Sequence, residues 1–201
     1  MKQIWPAPER NKDPILDVLR RVLPASGRLL EIASGSGQHA TYFSEHLPDW
    51  TFFPSDPDPE HRVSIDEWVN EAEQENLQRA RDIDVLREDW DIERMDAVFC
   101  ANMIHIAPWE CTPGLLAGVG RCLKEDGLFV LYGPFRIGGA HTAPSNEAFD
   151  ERLKGRDPTW GVRNLDDIVS LAAAQGLVFL ERVTMPANNF TVVFHKQAST
   201  S

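Results

Sequence analysis

The sequence has little cysteine, no long apolar run and no excess of basic residues. Its three cysteines, Cys100, Cys111 and Cys122, form no Cys-x-x-Cys pair, which argues against a disulfide framework and a zinc site. No stretch approaches the roughly 18 apolar residues that a membrane-spanning helix needs. Lys and Arg number 20 against 31 Asp and Glu, a formal net charge of −11 that repels nucleic acid and anionic membranes. We therefore expect a soluble cytoplasmic protein that acts on a small molecule, with no metal, nucleic-acid or membrane partner.

The chain of 201 residues is long enough for one domain with a sheet covered on both faces. Apolar runs predict strands at 29–32, 50–53, 81–85, 96–101, 128–132, 177–183 and 190–194, and amphipathic segments predict helices at 14–23, 38–47, 59–75, 113–123 and 165–175. This order predicts a doubly wound, Rossmann-like α/β sheet of seven strands, mostly parallel with an antiparallel C-terminal hairpin strand. We assign residues 1–201 to one domain, in which residues 1–27 cover the ligand site and residues 133–163 form a substrate lid.

A glycine turn follows the first predicted strand. Gly35 and Gly37 let the backbone approach a ligand, and the N–H groups of the next helix point at it. Read as Gly35-x-Gly37-x-x-Ala40, the segment matches the fingerprint of dinucleotide-binding proteins. Glu31, just upstream, favours a different ligand, because its charge would repel nucleotide phosphates but attract the ammonium and sulfonium groups of S-adenosylmethionine. A structural turn without a ligand is the third interpretation.

Two acidic residues follow later in the chain. Asp56 lies just after the second predicted strand, where a carboxylate can accept hydrogen bonds from both hydroxyl groups of a ribose. The alternative is a turn-forming Asp, with Asp58 as the second candidate for the ribose. Asp84, at the end of the third predicted strand, can accept a hydrogen bond from an adenine amino group beside the backbone of Val85. The alternative for Asp84 is a solvated acidic loop.

Polar side chains also mark the carboxyl ends of the later strands. Asn102 and His105 follow strand 96–101, and a histidine with its ordinary pKa of about 6.5 can remove a proton from a nucleophile at neutral pH. A histidine hydrogen-bonded within the core is the alternative for His105. His141, in the predicted lid, is the second candidate base. Candidates for substrate contacts, chosen by position, are Trp109, Tyr132, Phe135, Ser145, Asn146, Asn188 and Asn189.

Several long motifs resemble one protein family. They are Leu-Leu-Glu-Ile-Ala-Ser-Gly-Ser-Gly-Gln-His-Ala at 29–40, Pro-Ser-Asp at 54–56, the segment 96–110, Tyr-Gly-Pro-Phe at 132–135, His-Thr-Ala-Pro-Ser-Asn at 141–146 and Met-Pro-Ala-Asn-Asn at 185–189. These motifs are similar to those of the methyltransferase-like protein 26 family, a group of proteins that resemble class I S-adenosylmethionine-dependent methyltransferases. The resemblance extends over residues 6–194.

The resemblance implies an S-adenosylmethionine cofactor. The residues that it assigns to this cofactor are Glu31, Gly35, Gly37, Asp56, Asp84, Val85, Asn102 and Met103. Ala33 stands in place of the usual first glycine and narrows the room beside the methionine portion of the cofactor. We therefore expect a methyltransferase that acts on a small molecule, as a monomer or homodimer. An NAD(P)-dependent oxidoreductase and a non-catalytic S-adenosylmethionine-binding module are the alternatives.

Overall fold

The computed structural model describes residues 1–198, so residues 199–201 of the predicted domain lie outside the described part. The helices are α1 (Pro6–Val22), α2 (Gln38–His46), α3 (Pro59–Ala72), α4 (Cys111–Cys122), α5 (Pro144–Arg156) and α6 (Leu165–Ala174). The strands are β1 (Gly27–Ile32), β2 (Trp50–Pro54), β3 (Met95–Ala101), β4 (Leu123–Gly133), β5 (Arg136–Ile137), β6 (Ala140–His141), β7 (Leu177–Met185) and β8 (Asn189–Lys196). Short 3₁₀ turns span Met103–His105 and Pro186–Asn188. Among the described residues, no helix is both long and apolar enough to cross a membrane.

Six strands form one sheet in the order β2-β1-β3-β4-β8-β7. The strands β1 to β4 run parallel to one another, whereas β8 runs antiparallel to both β4 and β7. The predicted α/β fold, with a mostly parallel sheet and an antiparallel C-terminal strand, is confirmed. Because the chain leaves β1 for β2 and returns to β3 on the other side of β1, the winding direction switches between β1 and β3. Ligands of such sheets bind beyond the carboxyl ends of the strands at this switch.

The main sheet has six strands rather than the predicted seven. Residues 81–85 form no strand. Two isolated parallel bridges join residues 77–81 to β2 and to the residue after it, Phe52 with Leu77 and Ser55 with Arg81. The chain has one residue more between Leu77 and Arg81 than between Phe52 and Ser55, so the two bridges do not share a register. A loop therefore runs beside β2 where a seventh strand was predicted.

Helix α1 begins earlier than the sequence indicated. The prediction started this helix at Pro14, but the structure starts it at Pro6, and Pro14 lies inside it. A proline at the first helical position loses no hydrogen bond, because the first N–H groups of a helix have no partner within it. Pro14 lies further inside the helix and removes one of its backbone hydrogen bonds. The complete burial of Ile15 and Leu19 on the inner face of the helix offsets this loss. The earlier start brings residues 7–14 to the ligand site.

Apolar side chains cover both faces of the sheet. On one face, Ile15 of α1 and Phe43 of α2 pack with Phe99 of β3. On the other face, Ile168 of α6 packs in a second core with Val98 of β3. Val98 and Phe99 are neighbours in the chain but belong to opposite cores, because successive side chains of a strand point to opposite faces. The two cores hold the strand ends in fixed positions relative to each other.

Candidate functional site

A cavity of about 960 Å³ lies beyond the carboxyl ends of β1, β3 and β4. The turn after β1, the loop after β2 and the segments after β3 and β4 contribute to one part of its wall. Residues of α1, α2, α3 and α5, of the segment before α1 and of the connection between β7 and β8 contribute the remainder. The cavity therefore lies at the winding switch, where a doubly wound sheet binds its ligand.

The glycine turn after β1 forms part of this wall. Gly35 and Gly37 have φ angles of +56° and +94°, in the left-handed region that glycine adopts without strain. Gly35 lines the cavity, whereas Gly37 is the N-cap of α2 and lies outside the lining. Trp5 packs so closely on the turn that a Cβ atom on Gly35 would lie 2.3 Å from Cζ3 of the indole. The segment before α1 therefore covers a turn of bare backbone.

Two residues other than glycine adopt a left-handed backbone at neighbouring strand ends. Ala33, after β1, has a φ angle of +55°, and Asn102, after β3, has one of +62°. Both residues line the cavity, as does Met103. A left-handed conformation costs an alanine about 1–2 kcal/mol, and strain of this kind is concentrated at ligand sites. Both of these left-handed residues therefore lie at the cavity.

Asp56 holds the glycine turn and also faces the cavity. Its Oδ2 atom accepts a hydrogen bond from the Gly35 N–H at 3.0 Å, and its Oδ1 atom accepts one from the Asp58 N–H at 3.0 Å. Nδ1 of His61 lies 3.1 Å from the same Oδ1 atom. Because each carboxylate oxygen can accept two hydrogen bonds, Oδ2 keeps the capacity for a ligand hydroxyl. Asp58, the second candidate for the ribose, instead caps α3.

Glu31 is buried behind the cavity wall. Its Oε2 atom has no hydrogen-bond partner among the described residues, and its Oε1 atom lies 3.7 Å from Nδ1 of His39. Nε2 of His39 lies 2.7 Å from Oδ1 of Asn11, and both of these residues line the cavity. Burial raises the pKa of Glu31 to about 8 and lowers the pKa of His39 to about 4. Both groups are therefore uncharged at neutral pH, and Glu31 is a buried acid without a partner for Oε2.

The cavity brings together many of the predicted residues. Those that line it are Ala33, Gly35, Asp56, Asn102, Met103, Tyr132, Ser145, Asn146 and Asn189. The predicted residues outside its lining, all within the described part of the chain, are Glu31, Gly37, Asp84, Val85, His105, Trp109, Phe135, His141 and Asn188. Asn188 nevertheless contacts the lining, because its Nδ2 atom donates a hydrogen bond to Oγ of Ser145 at 3.0 Å.

The structure does not bring His105, the first candidate base, to the cavity. Its ring is completely buried and lies edge-on to Phe135, with 5.1 Å between the ring centroids. Nδ1 accepts a hydrogen bond from the Arg163 N–H at 3.2 Å. Burial lowers the pKa of His105 to about 3. His105 and Phe135 therefore belong to the core, which corrects their assignment to catalysis and substrate binding.

His141 and Trp109 also lie away from the cavity. Nε2 of His141 is 3.3 Å from Oδ2 of Asp150, so this second candidate base belongs to the network between β6 and α5. Trp109 is 41% exposed, and the guanidinium of Arg163 lies over its ring at 5.5 Å from the centroid. His141 lies on β6 and Trp109 just before α4, and neither side chain lines the cavity, so their assignment as base and substrate contact from position in the sequence is corrected.

The predicted adenine loop does not reach the cavity either. Oδ1 of Asp84 accepts a hydrogen bond from the N–H of Leu86 at 3.0 Å, the arrangement of an Asp that stabilises its own turn. The carbonyl of Val85 packs against Gly114, where an added Cβ would lie 2.6 Å from it. The alternative interpretation of Asp84, an acidic loop residue, therefore describes this structure.

A protein-family model matches nearly the whole chain. It is described as "Protein of unknown function (DUF938)" and matches residues 2–196. This protein belongs to the DUF938 family. Together with the folds of the proteins below, the match supports a methyltransferase-like family, whereas the narrower resemblance to methyltransferase-like protein 26 stays a prediction.

Solved structures, among them methyltransferases, share the fold of the DUF938 protein. An O-methyltransferase family protein from Burkholderia thailandensis has a TM-score of 0.80 at 12% identity, over 94% of this chain and 57% of that one. CalO1, a methyltransferase in calicheamicin biosynthesis in its SAH-bound form, has a TM-score of 0.73 at 18% identity, over 93% and 54%. The YcgJ protein from Bacillus subtilis has a TM-score of 0.74 at 16% identity, over 95% and 100%. The DUF938 chain spans little more than half of the first two proteins, and identities this low show the fold alone.

Several lining residues of the DUF938 protein were not predicted. Arg10 and Asn11 reach the cavity because α1 begins at Pro6, and the prolines near that start were the signal for an earlier helix. Phe149 and Arg152 lie on α5 at a spacing that places them on one face with Ser145, a periodicity visible in the sequence. His39 and His61 carried no comparable signal, since their positions depend on how α2 and α3 pack.

Proposed function

We propose that this DUF938 protein binds S-adenosylmethionine in the cavity and transfers its methyl group to a small molecule. The observation that carries the proposal is the arrangement of Gly35, Asp56 and Glu31 at the winding switch of a fold that methyltransferases share. Three features of this ligand match the site. The glycine turn suits its methionine chain, the carboxylate of Asp56 has spare acceptor capacity for its ribose, and the buried acid Glu31, whose Oε2 has no partner among the described residues, suits its ammonium group.

Each of these residues has a distinct task in the proposal. The backbone of the turn at Gly35 lies beside the methionine chain, and Asp56 accepts a hydrogen bond from a ribose hydroxyl, a charge-assisted bond that contributes about 1.5–3 kcal/mol. Glu31 loses its proton when a cationic group binds beside His39, and its charge then balances that of the ammonium. Bound S-adenosylmethionine supplies an electrophilic methyl group on its sulfonium. The SAH-bound form of CalO1 supports the same cofactor class for this fold.

The rest of the cavity offers an apolar place for the methyl acceptor. Met103, Ile106, Tyr132 and Phe149 line this part, and they limit the access of water to a bound reactant. Holding two reactants in line accelerates a displacement strongly without any acid or base. Neither candidate base lies in the lining, so we propose positioning as the main catalytic contribution. The acidic charge of the chain disfavours nucleic acid, which leaves a small molecule as the proposed acceptor.

The proposal is tested by calorimetric titration of the protein with S-adenosylmethionine, S-adenosylhomocysteine and NADH. We expect the first two to bind and NADH not to bind. Asp56→Asn keeps an acceptor oxygen for the Gly35 N–H but removes the charge, and we expect it to weaken S-adenosylhomocysteine binding about tenfold. Asp58→Asn is the matched control, because Asp58 caps α3 and asparagine caps helices equally well.

Two results would overturn the proposal. The absence of binding by either sulfur-containing ligand would leave the methyltransferase fold with another function. Binding of NADH instead, weakened by Asp56→Asn, would favour the oxidoreductase interpretation of the same glycine turn. Equal effects of Asp56→Asn and Asp58→Asn would show that the ribose is bound elsewhere.

A further inference from the structure

The two helices beside the cavity each contribute an arginine to its lining. Arg10 lies on α1 and Arg152 on α5, and both residues are exposed. The chain carries 31 Asp and Glu residues, yet neither arginine has a carboxylate within 4.0 Å among the described residues. Both guanidinium groups are therefore available to a ligand in the same cavity.

A lysine on each of the same helices is paired. Nζ of Lys12 on α1 lies 2.5 Å from Oε2 of Glu9. Nζ of Lys154 on α5 lies 2.6 Å from Oδ2 of Asp150. Acidic partners are thus present on both helices, but they face the lysines rather than the cavity. The two arginines at the cavity have no such partner among the described residues.

The cavity face of α5 combines an apolar surface with hydrogen-bond donors. Ser145, Phe149 and Arg152 recur at helical spacing and therefore lie on one face. The guanidinium of Arg152 lies over the ring of Phe149, 5.7 Å from its centroid. Oγ of Ser145 accepts a hydrogen bond from Asn188, so the hydroxyl proton is free to be donated. This face suits a ligand that has both an apolar part and an acceptor group.

The arginines and Asp56 belong to different elements of the cavity wall. Burial raises the pKa of Tyr132, at the end of β4, and the nearby charge of Arg10 opposes that rise. Helix α5 is attached to the connection between β7 and β8, because Nδ2 of Asn146 donates to the carbonyl of Asn188 at 2.9 Å. Asp56 instead follows β2, at the other edge of the sheet. The acidic residue and the arginines of the lining therefore come from separate elements of the fold.

We infer that the methyl acceptor carries an anionic group on an apolar body, and that Arg10 and Arg152 bind this group. Guanidinium groups bind carboxylates, sulfonates and phosphates through parallel N–H donors, which makes these the chemical classes concerned. That the bound anion is a methyl acceptor rests on the proposed function, whereas the anion site itself rests on the two arginines alone. An anion bound there would leave the end near Asp56 for the cofactor.

Two fluorescent compounds with the same aromatic body test the inference. 8-Anilinonaphthalene-1-sulfonate carries a sulfonate, and N-phenyl-1-naphthylamine lacks it. We expect Arg10→Gln and Arg152→Gln each to weaken binding of the sulfonate about three- to tenfold, as for a partly exposed charge pair, and to leave binding of the neutral compound within about twofold. Arg156→Gln, on the same helix but outside the lining, is the matched control and should change neither affinity.

The outcomes separate the anion site from the proposed function. Equal weakening of both compounds, or no weakening of the sulfonate, would overturn the inference, because the arginines would then act through packing or not at all. The sulfonate affinity should also fall with added salt while that of the neutral compound does not. If the arginine substitutions weaken only the sulfonate and the protein does not bind S-adenosylhomocysteine, the anion site stands and the methyltransferase proposal is rejected. If the protein binds S-adenosylhomocysteine and the arginine substitutions have no effect, the proposed function stands and the anion site is rejected.

Discussion

Replacing Gly35 with alanine tests the contact between the glycine turn and the segment that covers it. The substitution adds a single methyl group at a residue whose φ angle is +56°. The new Cβ would lie 2.3 Å from Cζ3 and 2.7 Å from Cη2 of the Trp5 ring, distances at which atoms must move. Gly35→Ala therefore introduces both a backbone strain and a steric clash with Trp5.

A matched glycine separates these two costs. Gly138 has a φ angle of +57°, and a Cβ there would have no atom within 4 Å. We expect Gly138→Ala to lower the free energy of unfolding by the backbone cost alone, about 1–2 kcal/mol. Gly35→Ala should lower it by the same amount and by about 1–3 kcal/mol more, because the Trp5 ring must be displaced.

Urea unfolding of a double-mutant cycle measures the clash directly. Trp5→Ala removes the ring, so Gly35→Ala made in that background should cost only as much as Gly138→Ala does in the parent protein. The predicted coupling energy between the two sites is about 1–3 kcal/mol. Equal costs for the two glycine substitutions, with no coupling to Trp5, would refute the packing of Trp5 on the glycine turn.

Four further substitutions have expected outcomes. Glu31→Gln should flatten the pH dependence of urea unfolding, because the native state keeps the Glu31 proton up to about pH 8 while the unfolded chain releases it near pH 4.5. The contribution of Glu31 to stability is complete below the pKa of the unfolded chain and is lost as the pH rises. We expect the free energy of unfolding to fall by about 2 kcal/mol between pH 6.5 and 8 for this reason. Gly118→Ala would place Cβ 1.9 Å from Cζ2 of Trp90 and should lower the unfolding free energy by about 1–3 kcal/mol, whereas Gly155→Ala, with no atom within 4 Å, should raise it by about 0.5–1 kcal/mol. His105→Ala should lower thermal stability but leave the calorimetric affinity for S-adenosylhomocysteine unchanged, because the ring lies in the core.

Each of these predictions can fail in its own way. Parallel pH profiles for the parent and Glu31→Gln would mean that Glu31 is ionised in the native state. Equal effects of alanine at Gly118 and Gly155 would contradict the packing of Trp90 on α4. A large loss of ligand affinity in His105→Ala, beyond its loss of stability, would return His105 to the site.

The sequence predicts the parts of this protein that depend on local signals. The turn at Gly35, the acid at Asp56 and the polar residue Asn102 each follow an apolar strand directly, and parallel strands end at one edge of a sheet. These three residues therefore meet in the cavity even though they are far apart in the chain. The same logic predicted the doubly wound sheet, because alternating strands and helices leave few other topologies.

Other features depend on packing between distant segments, which a single sequence does not reveal. His105 follows a strand just as Asn102 does, but the 3₁₀ turn at Met103–His105 places its ring beneath Gly133 and Phe135. The strand predicted at 81–85 does not form, because the pairing of this part of the chain with β2 does not keep one register. Register depends on both paired segments, so neither segment reveals it alone.

The predicted start of α1 was wrong for a different reason. Pro14 resembles a first helical residue, yet it lies inside the helix because the inner face of α1 is buried on the sheet. The cost of one missing hydrogen bond is smaller than the gain from burying that face. Arg10 was missed as a consequence, since it lies in the part of α1 that the sequence left unassigned.

The most direct test of the account is a crystal structure of the protein grown with S-adenosylhomocysteine. We predict electron density for the ligand in the cavity, with a ribose hydroxyl on Asp56, the amino acid portion beside Gly35 and the part of the cavity near Arg10 and Arg152 left free. Crystals that contain no ligand at saturating concentration, or density outside this cavity, would contradict the central claim that the glycine turn and Asp56 form a cofactor site.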